Sequence, residues 1–310
     1  MAIKTVAIVG AGAIGSMISD NLELAYGKDF YLFCKNDFLA APLKADGLTV
    51  NGRSFKPVVI QSKADMPEKL DLAIITVKNF HLASTIEDLK TVIDSRTVIL
   101  PLLNGVYAFD TLTREFPDNH VLCGIMVKTD AHPVGPGLTA YSTAGEIQVG
   151  EGRPEDAELA KEVSAFVNVN NLESNYYPNI RHMQWRKFML NVGVNQITAL
   201  TRAEFGMIPK IEEIPDAMRL VMREVLEVAN AEGIDLHESD IDELIEFTHK
   251  YPEDKQTSMF TDVLEQRPTE IDFFAGDVIR YGKKHGIATP YNEILYYVIR
   301  GLQKVYLAKR

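Results

Sequence analysis

Thr5–Gly15, TVAIVGAGAIG, decides how the rest of the chain is read. Thr5 to Val9 is a short β-branched apolar run, the pattern of a strand buried on both faces of a parallel sheet. It passes directly into Gly10-Ala11-Gly12-Ala13-Ile14-Gly15, after which Ile14, Met17, Ile18 and Leu22 recur on one helical face. A strand before and a helix after give the GxGxxG pattern its dinucleotide-binding context. The first glycine permits the tight turn, the second admits a pyrophosphate close to the backbone, and the third lets helix pack on strand. The helix N-terminus then favours the anion.

The next strands extend the same sheet. Phe30 to Phe33 ends at Cys34-Lys35. An Asp or Glu near this strand end would hydrogen-bond a ribose 2′-hydroxyl, whereas Lys35 suits a 2′-phosphate and so favours NADP. A plain solvated charge is the alternative for Lys35, and Asp37 lies close by. Asn51-Gly52, between Leu48-Thr49-Val50 and Ser54-Phe55, is a hairpin signal. Asp71 to Val77 and Thr97 to Leu102 are further buried strands, delivering Lys78 and Asn104 at their carboxyl ends. Ligands of open parallel sheets sit there, although Asn104-Gly105 alone reads better as a mere turn. Val121 to Thr129 and Ile147 to Val149 are the last strands, separated by a loop through Gly135-Pro136-Gly137.

After Asn168 the pattern changes. Asn170-Asn171 and Tyr176-Tyr177-Pro178-Asn179 form a polar, turn-prone joint, and from there the periodicity is almost wholly helical. The expected architecture is α/β: a Rossmann-type doubly wound domain over residues 1–178, then an all-helical domain over 179–310. Ser239 with Asp242 three residues later looks like a capping box opening one of its helices.

Within the helical part, Met183 to Thr198 places Lys187, Asn191 and Asn195 at i, i+4 and i+8, with Gln184 and Thr198 beside them. Most of the remaining circumference is apolar, so a narrow polar stripe enters an interior or cleft. Each unpaired buried amide would cost roughly 1–3 kcal/mol, and a buried ammonium needs a carboxylate or a wet cavity. The stripe either bonds neighbouring backbone or meets a ligand.

Composition narrows the function classes. An apolar fraction of 46% with 24% charged residues is that of a soluble globular protein. A net charge of −11 argues against nucleic-acid or anionic-membrane surfaces. Cys34 and Cys123 make no disulfide framework, so a reducing cytoplasm is the expected compartment. No run approaches the ~20 apolar residues of a membrane span, and the first strand starts too early for a signal peptide. Seven dispersed histidines show no HxH or HExxH grouping, so no metal site is expected.

Taken together, GAGAIG, Val77-Lys78, Asn104-Gly105, WRKFMLNVGVNQITAL from Trp185 and TSMFTDVLEQRPTEID from Thr257 to Asp272 resemble the ketopantoate reductase (2-dehydropantoate 2-reductase) family nearly end to end. The resemblance implies Lys187 as catalytic lysine with Glu270 as its carboxylate partner. It implies Asn104, Asn191, Asn195 and Ser258 as the substrate-lining residues. Lys35, Lys78, Asn104 and Glu270 would join Gly10, Ala11, Gly12, Ala13, Ile14 and Gly15 around NADPH. Three positions depart from the family pattern: Leu103 before Asn104-Gly105, Ala275 after the TEID run, and Lys35 in place of an arginine.

The implied reaction is NADPH-dependent reduction of ketopantoate to pantoate in pantothenate (coenzyme A) biosynthesis, with closure about Tyr177–Pro178 assembling the site. A relative acting on ketoisovalerate or another branched 2-oxo acid is a second reading. A nucleotide-sensing protein without turnover is a third, and the presence of Lys187 and Glu270 argues against it. Apolar positions among the C-terminal helices would serve a homodimer or the core between domains.

Overall fold

A computed structural model describes residues 3–27, 30–66 and 69–309. The strands, in chain order, are β1 (Val6–Val9), β2 (Phe30–Phe33), β3 (Leu48–Val50), β4 (Arg53–Phe55), β5 (Val58–Ile60), β6 (Leu72–Ile75), β7 (Val98–Pro101), β8 (Cys123–Val127), β9 (His132–Gly135), β10 (Leu138–Ala140), β11 (Glu146–Gly150) and β12 (Glu173–Tyr176). Five of them form a parallel sheet in the order β5-β2-β1-β6-β7. Among these five the order is third, second, first, fourth, fifth, so it reverses between β1 and β6. That reversal creates a ligand crevice beyond the strands' carboxyl ends. Every residue of β1, β6 and β7 is buried, which explains their uninterrupted apolar runs. A single parallel bridge from Ile99 to Val121 continues the order towards β8. Beyond it, β8 pairs antiparallel with β11, and β11 parallel with β12.

Helices α1 (Ala13–Tyr26), α2 (Asp37–Ala45), α3 (Leu82–Leu89), α4 (Tyr107–Glu115) and α5 (Ala157–Val167) connect the strands. The Asn-Gly hairpin joins β3 to β4, with φ of 48° at Asn51 and 80° at Gly52. A type I′ turn needs positive φ at both positions. This hairpin belongs to a small sheet, β4-β3-β10-β9. Arg53 fastens it to α1 through Asp20 (Nε to Oδ1, 2.8 Å) and Glu23 (Nη1 to Oε2, 2.6 Å).

Two expectations about connections are corrected. The loop through Gly135-Pro136-Gly137 is the turn of a hairpin, so two further strands, β9 and β10, lie where only a loop is expected. The polar joint before Pro178 contains β12. Its polar residues find partners in the sheet and at the end of α5: Ser174 is buried, its Oγ donates to Ile147 O at 2.9 Å, and its N–H donates to Asn168 Oδ1. Polarity there marks a strand with internal hydrogen-bond partners, not a linker.

The chain divides into two compact units, one of residues through Asn104 with Ala108–Ile180, the other of Gly105–Tyr107 with the residues from Arg181 onward. The second unit is helical: α6 (Ile180–Leu190), α7 (Gln196–Thr201), α8 (Glu213–Ala231), α9 (Glu238–Thr248), α10 (Ser258–Leu264), α11 (Ala275–His285) and α12 (Pro290–Leu307). Trp185, Phe188, Val192, Met218, Met222 and Val225 are at the centre of its core. The capping box of α9 lies two residues before Ser239 and Asp242. The backbone is extended through His237, whose N–H donates to Asp240 Oδ2 at 2.8 Å. Asp240 also accepts from Arg186 Nε at 2.8 Å, which fixes the helix start against α6. Among the described residues no helix is long and apolar enough to cross a membrane.

Candidate active site

In the first unit the glycine loop is built by exclusion of side chains. Gly10 has φ of 110°, and a Cβ there would stand 2.9 Å from Val77 Cγ1 and 3.0 Å from Val77 N. A Cβ on Gly15 would collide with the Gly10 carbonyl oxygen, so both ends of the loop are locked by close packing. Gly12 is different. It is exposed, and a Cβ there would meet nothing within 4 Å. It is also the N-cap of α1, with no side-chain cap on the helix amides. Open space and helix N–H donors at one point suit a pyrophosphate, so Gly10, Ala11, Gly12, Ala13, Ile14 and Gly15 fit a dinucleotide.

The same unit gathers Lys78 and Asn104 near this loop. Thr76 follows β6, and its Oγ1 donates to Gly10 O at 2.9 Å, fixing Val77-Lys78 beside the glycines. Lys78 is exposed there. Asn104 is half-buried after β7, and its carbonyl accepts from Asn79 Nδ2 at 2.9 Å. Asn79, 2% exposed, thus ties the two loops together, and no motif marks it. Lys35 stands exposed after β2, with its ammonium 3.3 Å from Asp88 Oδ1. Any 2′-phosphate would compete with Asp88 for it.

In the second unit, the helix expected over Met183–Thr198 is not uniform. α6 ends at Leu190, Asn191–Asn195 make a π turn, and α7 begins at Gln196. A π turn carries an extra residue, so the i, i+4, i+8 spacing of Lys187, Asn191 and Asn195 does not hold them in one straight row. Such turns mark functional sites frequently. All three polar residues are half-buried, while Val192, Gly193 and Val194 between them are buried. The turn packs on α8, where a Cβ on Gly193 would collide with Met222.

Buried side chains hold the widened turn open. Gln196 Nε2 donates to Val192 O at 2.6 Å and to Asn292 Oδ1 at 3.4 Å. Asn292 in turn donates to Glu224 Oε2 at 2.7 Å. Thr198 Oγ1 donates to Val194 O at 2.7 Å and lies 2.8 Å from Thr257 Oγ1. Thr257 caps α10, so the same link sets the exposed Ser258 at the first turn of that helix. Of these residues, Thr198 stands beside the polar stripe in the sequence and Thr257 opens the TSMFTDVLEQRPTEID run, whereas Asn292 and Glu224 carry no signal there.

Burial draws the Lys187 ammonium down from its ordinary 10.5 to about 8, against the opposing attraction of the Glu270 carboxylate. The two groups are therefore electrostatically coupled. Glu270 is 6% exposed, at the start of a short turn over Ile271–Phe273. Its neighbour Thr269 donates from both N and Oγ1 to Gln303 Oε1 at 2.9 Å, so α12 positions the carboxylate segment. A desolvated lysine within electrostatic reach of a buried carboxylate can donate a proton near neutral pH.

The ketopantoate reductase PanE/ApbA family model matches residues 6–154, and its C-terminal model matches residues 179–303. The chain belongs to the ketopantoate reductase family. It is an oxidoreductase of that family, with a Rossmann-type parallel sheet and a helical C-terminal region. A 2-dehydropantoate 2-reductase from Streptococcus pyogenes serotype M3 is 29% identical over 306 residues, 96% of this chain and 97% of the relative. A D-mandelate dehydrogenase structure in complex with NADH is 25% identical with a TM-score of 0.87, covering 97% of this chain and 99% of the other. A 2-dehydropantoate 2-reductase structure from Geobacter metallireducens is 26% identical with a TM-score of 0.82, covering 96% and 99%.

Proposed function

We propose that this protein is an NADPH-dependent 2-dehydropantoate 2-reductase, converting ketopantoate to pantoate for pantothenate synthesis, with Lys187 as general acid. The observation that carries the reading is the coupled Lys187–Glu270 pair, with the lysine drawn to about 8 by burial. When bound, the nicotinamide supplies hydride to the ketone carbon. Negative charge then develops on the ketone oxygen, and Lys187 Nζ stabilises it and gives it a proton. Glu270 offsets the desolvation of the ammonium and orients it. Asn104, Asn191, Asn195 and Ser258 would bind the substrate's carboxylate and hydroxyl groups. Gly10–Gly15 would hold the pyrophosphate, Lys35 the 2′-phosphate, and Lys78, Asn104 and Glu270 the rest of the cofactor. The cytoplasm is the matching compartment, and a homodimer the matching assembly.

A second reading, reduction of another 2-oxo acid with NADH, is favoured by one observation: Lys35 is already paired with Asp88. The NADH complex of the similar D-mandelate dehydrogenase points the same way. A turnover panel of ketopantoate and ketoisovalerate, each with NADPH and NADH, decides between them. Ketopantoate with NADPH is expected to give the highest kcat/KM, and Lys35→Ala to lower the NADPH preference. No turnover of any 2-oxo acid would leave only a nucleotide-binding role.

A further inference from the structure

The polar stripe on α6 begins with a residue that the reaction above leaves unused. Gln184 is 6% exposed and lies one turn before Lys187. Its Oε1 accepts from Arg181 Nη1 at 2.6 Å, and its Nε2 donates to Gly105 O at 3.2 Å. A guanidinium can only donate, so Arg181 decides which way the amide faces. The oxygen is taken by the arginine, and the NH2 group is left for the Gly105 carbonyl.

Gly105–Tyr107 packs with the residues from Arg181 onward. Gly105 is buried with φ of 84°, and a Cβ there would stand 3.3 Å from Phe273 O and 3.8 Å from Phe188 Cδ2. Phe188 directly follows Lys187, and Phe273 closes the short turn that starts at Glu270, its N–H donating to Glu270 O at 2.9 Å. Val106 is fully buried in the core that contains Trp185 and Phe188. The Tyr107 ring lies 5.3 Å from that of Phe273, and the Arg280 guanidinium stands 4.7 Å over it. The backbone just after Asn104 is therefore seated on the two elements that carry Lys187 and Glu270.

Two buried amides hold that backbone. Asn79 Nδ2 donates to Asn104 O at 2.9 Å, and Gln184 Nε2 donates to the next carbonyl, that of Gly105. Peptide groups are planar, so fixing successive carbonyls fixes successive planes. Glycine has the widest choice of backbone angles. The bond from Gln184 removes that choice at the residue beside Asn104.

We propose that Gln184 is a positioning residue for Asn104, acting through the Gly105 carbonyl to fix the backbone from which the Asn104 amide meets the substrate. This rests on the substrate role proposed for Asn104 above. The test is ketopantoate reduction by full-length variants at saturating NADPH, with circular dichroism melting as the check on folding. Gln184→Leu should lower kcat/KM for ketopantoate about tenfold, mainly through KM. Gln184→Glu keeps the Arg181 bond but sets an oxygen against the Gly105 carbonyl, and should do the same. In an Asn104→Ala background neither change should cost more than about twofold further, because the group they position is gone. Losses that multiply in full in both backgrounds would make Gln184 a folding residue only and overturn the proposal. Wild-type kcat/KM in both Gln184 variants would overturn it as well. Wild-type kcat/KM in Asn104→Ala alone would instead remove Asn104 from the substrate site, and the role of Gln184 with it.

Discussion

The glycine loop after β1 and the π turn after α6 are both departures from regular backbone, held in place by opposite means. The loop works through absence: Gly10 and Gly15 leave no room for a Cβ, and Gly12 leaves space where a ligand can approach. Its geometry is set by residues within a few positions of one another and by the neighbouring strand. The π turn works through presence. Gln196, Asn292, Glu224, Thr198 and Thr257 supply buried donors and acceptors that hold Asn191–Asn195 wider than an α-helix. A loop specified by missing side chains is local, whereas a turn specified by partners is spread over a hundred residues.

That contrast can be broken experimentally. The larger effect is expected in the loop. Gly15→Val forces the helix away from the strand at about 1–3 kcal/mol of overpacking, which corresponds to about 10–100-fold in cofactor affinity. Fluorescence titration with the nicotinamide cofactor measures it, and unchanged affinity would remove the loop from cofactor binding. A smaller effect is expected at the π turn. Gln196→Leu leaves the buried Val192 carbonyl short of a donor, costing about 1–3 kcal/mol of stability. Part of that loss should appear as about a tenfold fall in kcat/KM for the 2-oxo acid, one decade being about 1.4 kcal/mol. Cofactor affinity should stay as in the wild type. If Gln196→Leu weakens cofactor as much as substrate, the two regions do not act separately.

The same contrast explains what could be read in advance. The parallel strands were legible because β1, β6 and β7 are buried on both faces and so carry unbroken apolar runs. The Asn51-Gly52 turn was legible because few residues accept positive φ twice in succession. Lys187 stood out because a lysine in an apolar circumference demands a reason. The π turn was not legible: Asn292 lies 96 residues from Gln196, and no local pattern announces it. β12 was hidden because its polar residues find partners in the sheet and at the end of α5. The cap of α9 was misplaced because Arg186, far away in sequence, helps to fix Asp240.

The central claim is that Lys187 gives a proton to the ketone oxygen. A lysine acid acts in its charged form, and burial lowers the pKa of this one from 10.5 to about 8. With Lys187 as the acid, activity in the reductive direction is expected to be present below about 8 and lost as pH rises through it, well before an exposed lysine would titrate. The direct measurement is the pH profile of ketone reduction by the wild type and by folded Lys187→Ala. The expected result is a wild-type profile that falls through about pH 8, and a variant whose kcat is lower by on the order of 10²–10⁴ with that limb gone. A folded Lys187→Ala protein with wild-type kcat, or a wild-type profile flat through pH 8, would contradict it.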